Sequence, residues 1–215
     1  LRATQRCFSY VINTGMVELT RMALELVETS DVKPYVPETS VVQYLQLAIP
    51  VFRISQVMRF GGEIVSAYGW TEAIAPGGLP LRVRIDESRR DPFEFVALRT
   101  SDIRATRGLY EGLGMRVVEE TTAGPKIRIG SSSYGIAFEN KDAIQPDREP
   151  GALQMSYGDP ALTTGLLLLP PKSRKTTLSP GNPAATLRLL GRPTGADAAA
   201  DGIVSVDGLR SEFVL

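Results

Sequence analysis

Residues 96–120 read VALRTSDIRATRGLYEGLGMRVVEE, and this stretch decides the fold. Phe93 to Thr100 is apolar and β-prone, the signature of a strand. Asp102 follows at a position suited to an N-cap, because its carboxylate can accept the free N–H groups of a first helical turn. Ile103, Thr106, Leu109, Tyr110 and Leu113 then recur at helical spacing and form one inner face. Gly114 ends the helix, since glycine adopts the left-handed cap conformation without penalty. Met115 to Glu119 returns as a strand.

The same unit is legible upstream. Val41 to Ile49 has strand character, with bulk from Tyr44, Leu45, Leu47 and Ile49. Pro50 stands at a helix start, where its missing N–H costs nothing. Val51, Ile54, Val57 and Met58 fall on one helical face. Gly61-Gly62 ends that helix, and Glu63 to Ser66 follows as a short strand. Strand–helix–Gly–strand therefore occurs twice, over Val41 to Ser66 and Phe93 to Glu120, a repeat of roughly 50 residues. Trp70 to Pro80 reads as a Gly/Pro-rich loop. Leu81 to Ile85 alternates, which sends Arg82 and Arg84 towards solvent or a partner. Outside the repeats, strand-like runs occur at Phe8 to Asn13, Arg21 to Glu28, Ile127 to Ile129, Gly135 to Phe138, Ala152 to Tyr157, Gly165 to Leu169, Ala184 to Leu190, Ile203 to Val206 and Ser211 to Leu215.

Composition narrows the chemistry. The 215 residues are 43% hydrophobic and 22% charged, with 24 lysines and arginines against 24 aspartates and glutamates. Zero net charge leaves no electrostatic footprint for nucleic acid. No apolar run approaches the roughly 18 residues of a spanning helix. There is no histidine and a single cysteine, Cys7. Every Ser–His, Cys–His and histidine-metal mechanism is thereby removed, as is any internal disulfide. The chain begins at Leu1, which sets the expectation of a processed or incomplete N-terminus.

The 96–120 stretch resembles the opening strand and helix of the glyoxalase I, or vicinal oxygen chelate, superfamily, through Asp102, Tyr110, Glu111, Leu113, Gly114 and Met115. MALELVET at 22–29 is similar to the family's Glu-bearing fourth strand. LQLAIPVFRISQVMRFGGEIVS at 45–66 is similar to its fifth strand and second helix. Asp207 to Phe213 resembles its closing Asp-Gly turn and Glu-bearing strand. The resemblance implies an α+β fold of repeated βαβββ motifs, with sheets curved into half-barrels and truncated outer motifs. It also implies two modules, over 1–98 and 93–215. The first would lack its opening strand and helix, and the second its later helix.

The family holds a divalent metal with histidines, or glutamine, and glutamates. Carried over by position, Glu25 and Glu212 match glutamate positions, and Glu94 lies within one residue of another. Gln46 sits where a fifth-strand histidine is usual. Phe95 replaces a first-strand histidine, Leu167 or Leu168 a glutamate, and Thr186 or Leu187 a fifth-strand ligand. No site is complete, and two oxygens hold calcium or magnesium weakly, since those ions take about six. The expectation is therefore a non-catalytic relative with no catalytic residue, metal or cofactor. It would be a structural or accessory subunit that meets other proteins of a larger assembly, organellar if a transit peptide was removed, in a plastid or mitochondrion. The alternatives are a metal-dependent lactoylglutathione lyase with unusual oxygen ligands, and a metal-free small-molecule binding module.

Overall fold

In a computed structural model, the protein is described over residues 6–8, 24–26, 35–59, 61–66, 70–75, 78–89, 92–121, 149–160, 164–173, 177–179, 186–190 and 203–214. The strand-like runs at Ile127 to Ile129 and Gly135 to Phe138 lie outside these residues.

Two βαβββ units carry the architecture. The first runs through β3 (Val42–Ile49), a single 3₁₀ turn (Val51–Arg53), α1 (Ile54–Arg59), β4 (Glu63–Ser66), β5 (Trp70–Ile74) and β6 (Pro80–Ile85). The second runs through β7 (Phe93–Arg99), α2 (Ile103–Gly112), β8 (Arg116–Glu120), β9 (Leu153–Ser156) and β10 (Gly165–Leu169). Together they form one curved, open, mixed sheet of eight strands, ordered β4-β5-β6-β3-β7-β10-β9-β8. Each unit contributes the same internal order, and the two opening strands, β3 and β7, meet antiparallel at the centre. Each opening strand pairs parallel to the last strand of its own unit. The sheet is thus pseudo-symmetric about the β3–β7 seam, and the expected α+β fold of repeated βαβββ motifs is present.

Two smaller sheets complete the described residues. β1 (Arg6–Phe8) pairs with β2 (Leu24–Leu26), and β11 (Thr186–Leu190) and β12 (Ile203–Val206) flank β13 (Leu209–Val214).

The 103–112 helix forms as its cap dictates. The Asp102 carboxylate accepts from the N–H groups of Arg104 and Ala105, both at 3.0 Å. At the other end Gly114 takes φ of 94°, which lets the Met115 N–H reach back to the Tyr110 carbonyl at 2.9 Å. Thr106 and Tyr110 are buried, and Tyr110 joins Leu45, Val96, Leu98, Leu113, Met155 and Leu168 in the principal core. Leu209 reaches this core from β13, and the Asp207 carboxylate accepts from the Ser101 N–H at 3.0 Å and from its hydroxyl. The opposite face of the sheet carries a second apolar cluster of Tyr44, Phe95, Ala97, Ala152, Leu167 and Leu169. All five residues of β10 are buried. A strand covered on both faces reads as a continuous apolar run, as GLLLL does.

One expectation is corrected. Trp70 to Pro80 is not a loop throughout: residues 70–74 form β5, which pairs with β6 and buries Thr71. The Gly/Pro signal belongs only to the hairpin connection after it. Val51, Ile54, Val57 and Met58 lie in the 3₁₀ turn and α1. None of these residues is buried, and Val51 and Met58 are exposed.

Candidate functional site

Residues opposite one another on paired strands share a face, so the strand register lays out the face that bears the second cluster. One row across the sheet runs Glu63, Glu72, Arg82, Gln46, Phe95, Gly165. The next runs Tyr44, Ala97, Leu167, Gln154, Glu119. Gln46 and Phe95 stand side by side on the seam, the corresponding members of the two opening strands.

Gln46 is 1% exposed, and its amide nitrogen donates to the Leu47 carbonyl at 3.3 Å. Its cross-strand neighbours are the phenyl ring of Phe95 and the Arg82 side chain. The Arg82 guanidinium lies 4.0 Å from the centroid of the Tyr44 ring, and its Nε is 3.9 Å from the Glu72 carboxylate. Tyr44 meets Phe95 edge to face, with centroids 6.2 Å apart. Beyond Phe95 the row must be glycine: a Cβ on Gly165 would lie 2.5 Å from the Met155 carbonyl oxygen.

Glu94 is held elsewhere. A register shift between Gln46 and Leu47 interrupts the ladder at its level, and its carboxylate takes both Nε and Nη2 of Arg84, at 2.8 and 2.9 Å. Arg84 also meets Asp86 at 2.9 Å. Burial works against the Arg84 charge, but the hydrogen bonds and charges of Glu94 and Asp86 outweigh it and hold the guanidinium above its ordinary value. Burial likewise opposes the Asp86 charge, yet hydrogen bonds from Ser88 and the Arg84 charge leave that carboxyl below its usual range.

A second ion pair closes one end of the face. Arg99 is 3% exposed. Its Nη1 and Nη2 grip Glu149 at 2.9 and 2.7 Å, and Nη1 also donates to the Pro170 carbonyl. The Arg99 hydrogen bonds, working against burial, hold the Glu149 carboxyl below its usual range. Nearby, the Tyr35 hydroxyl donates to the Gln43 carbonyl at 2.7 Å, and burial pushes it up to about 12.

The ligand-like positions are therefore dispersed. Gln46 and Phe95 come together. Glu94 is tied to Arg84. Glu25 lies in β2 opposite Cys7, and Glu212 in β13 between Arg188 and Ile203, each in a different sheet. Leu167 and Leu168 fall on opposite faces, in the second cluster and the principal core respectively. Thr186 and Leu187 open β11, opposite Arg210 and Ser211. Among the described residues no three His, Cys, Asp or Glu side chains converge. Sequence reasoning missed Arg82, Arg84, Arg99 and Glu149 as components of this face. The alternation of β6 did put its two arginines on one side. Their partners come from other strands and loops, up to 50 residues away, and no local signal marks them.

No protein-family model matches the chain, and no curated protein does either. Solved structures do. Glyoxalase I from Zea mays superposes with a TM-score of 0.56 at 20% identity, over 79% of this chain and 56% of the maize chain. Two single-residue variants of the same maize protein match with the same score and identity. This chain thus spans little more than half the length of the maize protein. Joined βαβββ units, the doubled opening strand at the seam and this superposition together identify the architecture as a glyoxalase-type, vicinal oxygen chelate fold.

Proposed function

We propose that the protein is a non-catalytic glyoxalase-like chain, built as modules over 1–98 and 93–215, that serves as a structural or accessory subunit of a larger assembly. The observation that carries this reading is the central row. At the seam, a buried amide stands between a phenyl ring and a guanidinium. The residues there do not fit a divalent cation. Calcium and magnesium require several oxygen ligands and zinc takes nitrogen, sulfur or carboxylate donors, whereas the Gln46 row offers one amide at the seam and, beyond Arg82, the Glu72 carboxylate that faces that guanidinium. A fixed positive charge on the neighbouring strand opposes a second one. The commonest proton-transfer side chain is missing too, since the chain has no histidine, and Glu94, one of the ligand-like positions, is committed to Arg84 in a bidentate pair.

The likeness of fold to glyoxalase I favours a second reading, a metal-dependent lactoylglutathione lyase. Two measurements separate the readings. Metal analysis of the purified chain, with a methylglyoxal–glutathione assay, is expected to show no stoichiometric ion and no turnover above buffer. An ion at one equivalent with turnover establishes the lyase instead. Isolation at native abundance is expected to recover the chain in a stable complex, whereas a lone monomer refutes the accessory role. Thermal stabilisation by a small molecule without metal would support a binding module.

A further inference from the structure

We infer that the end of the sheet formed by residues 51–59 and the edge strand β4 is a docking surface for a protein partner that presents carboxylates around an apolar recess. The inference rests on the accessory-subunit reading and assigns its contact surface.

The pseudo-symmetry supplies the comparison. The two helices occupy corresponding positions in the two units, yet they are finished differently. In α2 the apolar residues Ile103, Leu109 and Tyr110 are half-buried or buried, and the exposed positions are polar or small: Arg104, Ala105, Gly108 and Glu111. In residues 51–59 nothing is buried, and Phe52 is 70%, Val51 53% and Met58 38% exposed. Ile54 and Val57 are half-buried. The segment's exposed side thus sets Val51, Phe52 and Met58 among Arg53, Ser55, Gln56 and Arg59. A single exposed apolar side chain is ordinary, whereas several together on one element mark a contact surface.

The two edges of the sheet differ in the same sense. β8 exposes Arg116, Glu119 and Glu120, charges of the kind that keep an edge from pairing with another chain. β4 reads Glu-Ile-Val-Ser and carries one charge. The apolar helix and the weakly guarded edge belong to the same unit, joined by Gly61-Gly62.

Charge selects the occupant. Residues 51–59 contain Arg53 and Arg59 and no acid. The Arg53 guanidinium sits 5.8 Å from the Phe52 centroid, and among the described residues neither arginine has an ion pair. The neighbouring Glu87 is committed to the Val51 N–H at 2.7 Å. A second copy of the chain in symmetric contact would bring two sets of these arginines together, and like charges across an interface repel. An acidic partner with an apolar recess satisfies both components. Phenylalanine, methionine and arginine are also residue types enriched at protein interfaces.

The test uses the full chain in the complex isolated at native abundance. A photocrosslinking benzoylphenylalanine at position 52 is expected to label an acid-rich segment of a different protein of that complex. Arg53→Glu with Arg59→Glu is expected to reduce incorporation at least tenfold, while Arg104→Glu on α2 leaves it unchanged. Position 52 is exposed, so folding is unaffected by the probe. Crosslinks to a second copy, to lipid or to nothing in an otherwise intact complex overturn the surface and leave the accessory role standing. Undiminished incorporation of the charge-reversed chain does the same. A chain that never enters a complex overturns both.

Discussion

Glu149→Gln is the sharpest probe of what holds the described core and its far end together. Arg99 is almost fully enclosed, and two of its three engaged N–H groups end on the Glu149 carboxylate. Glutamine keeps the shape of the side chain but removes the charge and turns one acceptor into a donor. The guanidinium would then be buried with the Pro170 carbonyl and one amide oxygen as acceptors. Breaking a buried ion pair costs about 3–5 kcal/mol. Glu149 is itself 36% exposed, so solvent screens part of the pair and the expected loss is about 2–3 kcal/mol. For a chain of this size that lowers Tm by roughly 4–12 °C. Denaturant and thermal unfolding of the two proteins at pH 7 measure it. The pH dependence is the stricter check. Hydrogen bonding to Arg99 holds the folded carboxyl below its ordinary 4.5. Its contribution is therefore complete above about 4.5, and it declines as pH falls through the lower folded value. The gap between wild type and variant should close on that descent, because protonation does to the wild type what the substitution does to the variant. A variant within about 0.5 kcal/mol of wild type at pH 7, or a gap constant down to pH 3, refutes the reasoning.

Three further outcomes are expected. Asp102→Ala removes the acceptor for two N–H groups of α2 and should cost about 1 kcal/mol in urea unfolding; Asp102→Asn should recover most of it. Gly165→Ala places a Cβ against the Met155 carbonyl in the middle of the β9–β10 ladder and should cost about 1–3 kcal/mol, with amide exchange in β9 and β10 accelerated first. The Tyr157 hydroxyl is buried and lacks a hydrogen-bond partner among the described residues, and burial pushes its pKa up to about 12. Tyr157→Phe should be neutral or stabilising by up to about 1 kcal/mol. Wild-type stability should in part fall as pH rises from about 10 towards 12, since the unfolded phenol ionises first, and the variant should lose that part of the alkaline slope.

Much of the fold was legible because its determinants are local. The Asp102 cap, the 3.6-residue spacing through Tyr110, the Gly114 stop and the GLLLL run each announce their element within a few residues. The pairing of such units was what the resemblance to the glyoxalase superfamily implied. Where a reading failed, two signals competed within one stretch. At 70–80 the Pro-Gly-Gly turn masked the strand before it.

The candidate site was legible only in its missing parts. A chain without histidine loses the imidazole ligands and bases wherever it folds, and that follows from composition alone. Which groups stand in their place depends on register, because side chains from the two flanking strands meet Gln46 and neither is near it in sequence. The Phe95 ring and the Arg82 guanidinium reach Gln46 through two different strand pairings, one antiparallel and one parallel. Arg99 finds Glu149 across 50 residues. Local sequence settles which strands and helices form, since backbone hydrogen bonds and caps act over a few residues. Only the assembled sheet decides which charges meet, since electrostatic partners are chosen by distance in space.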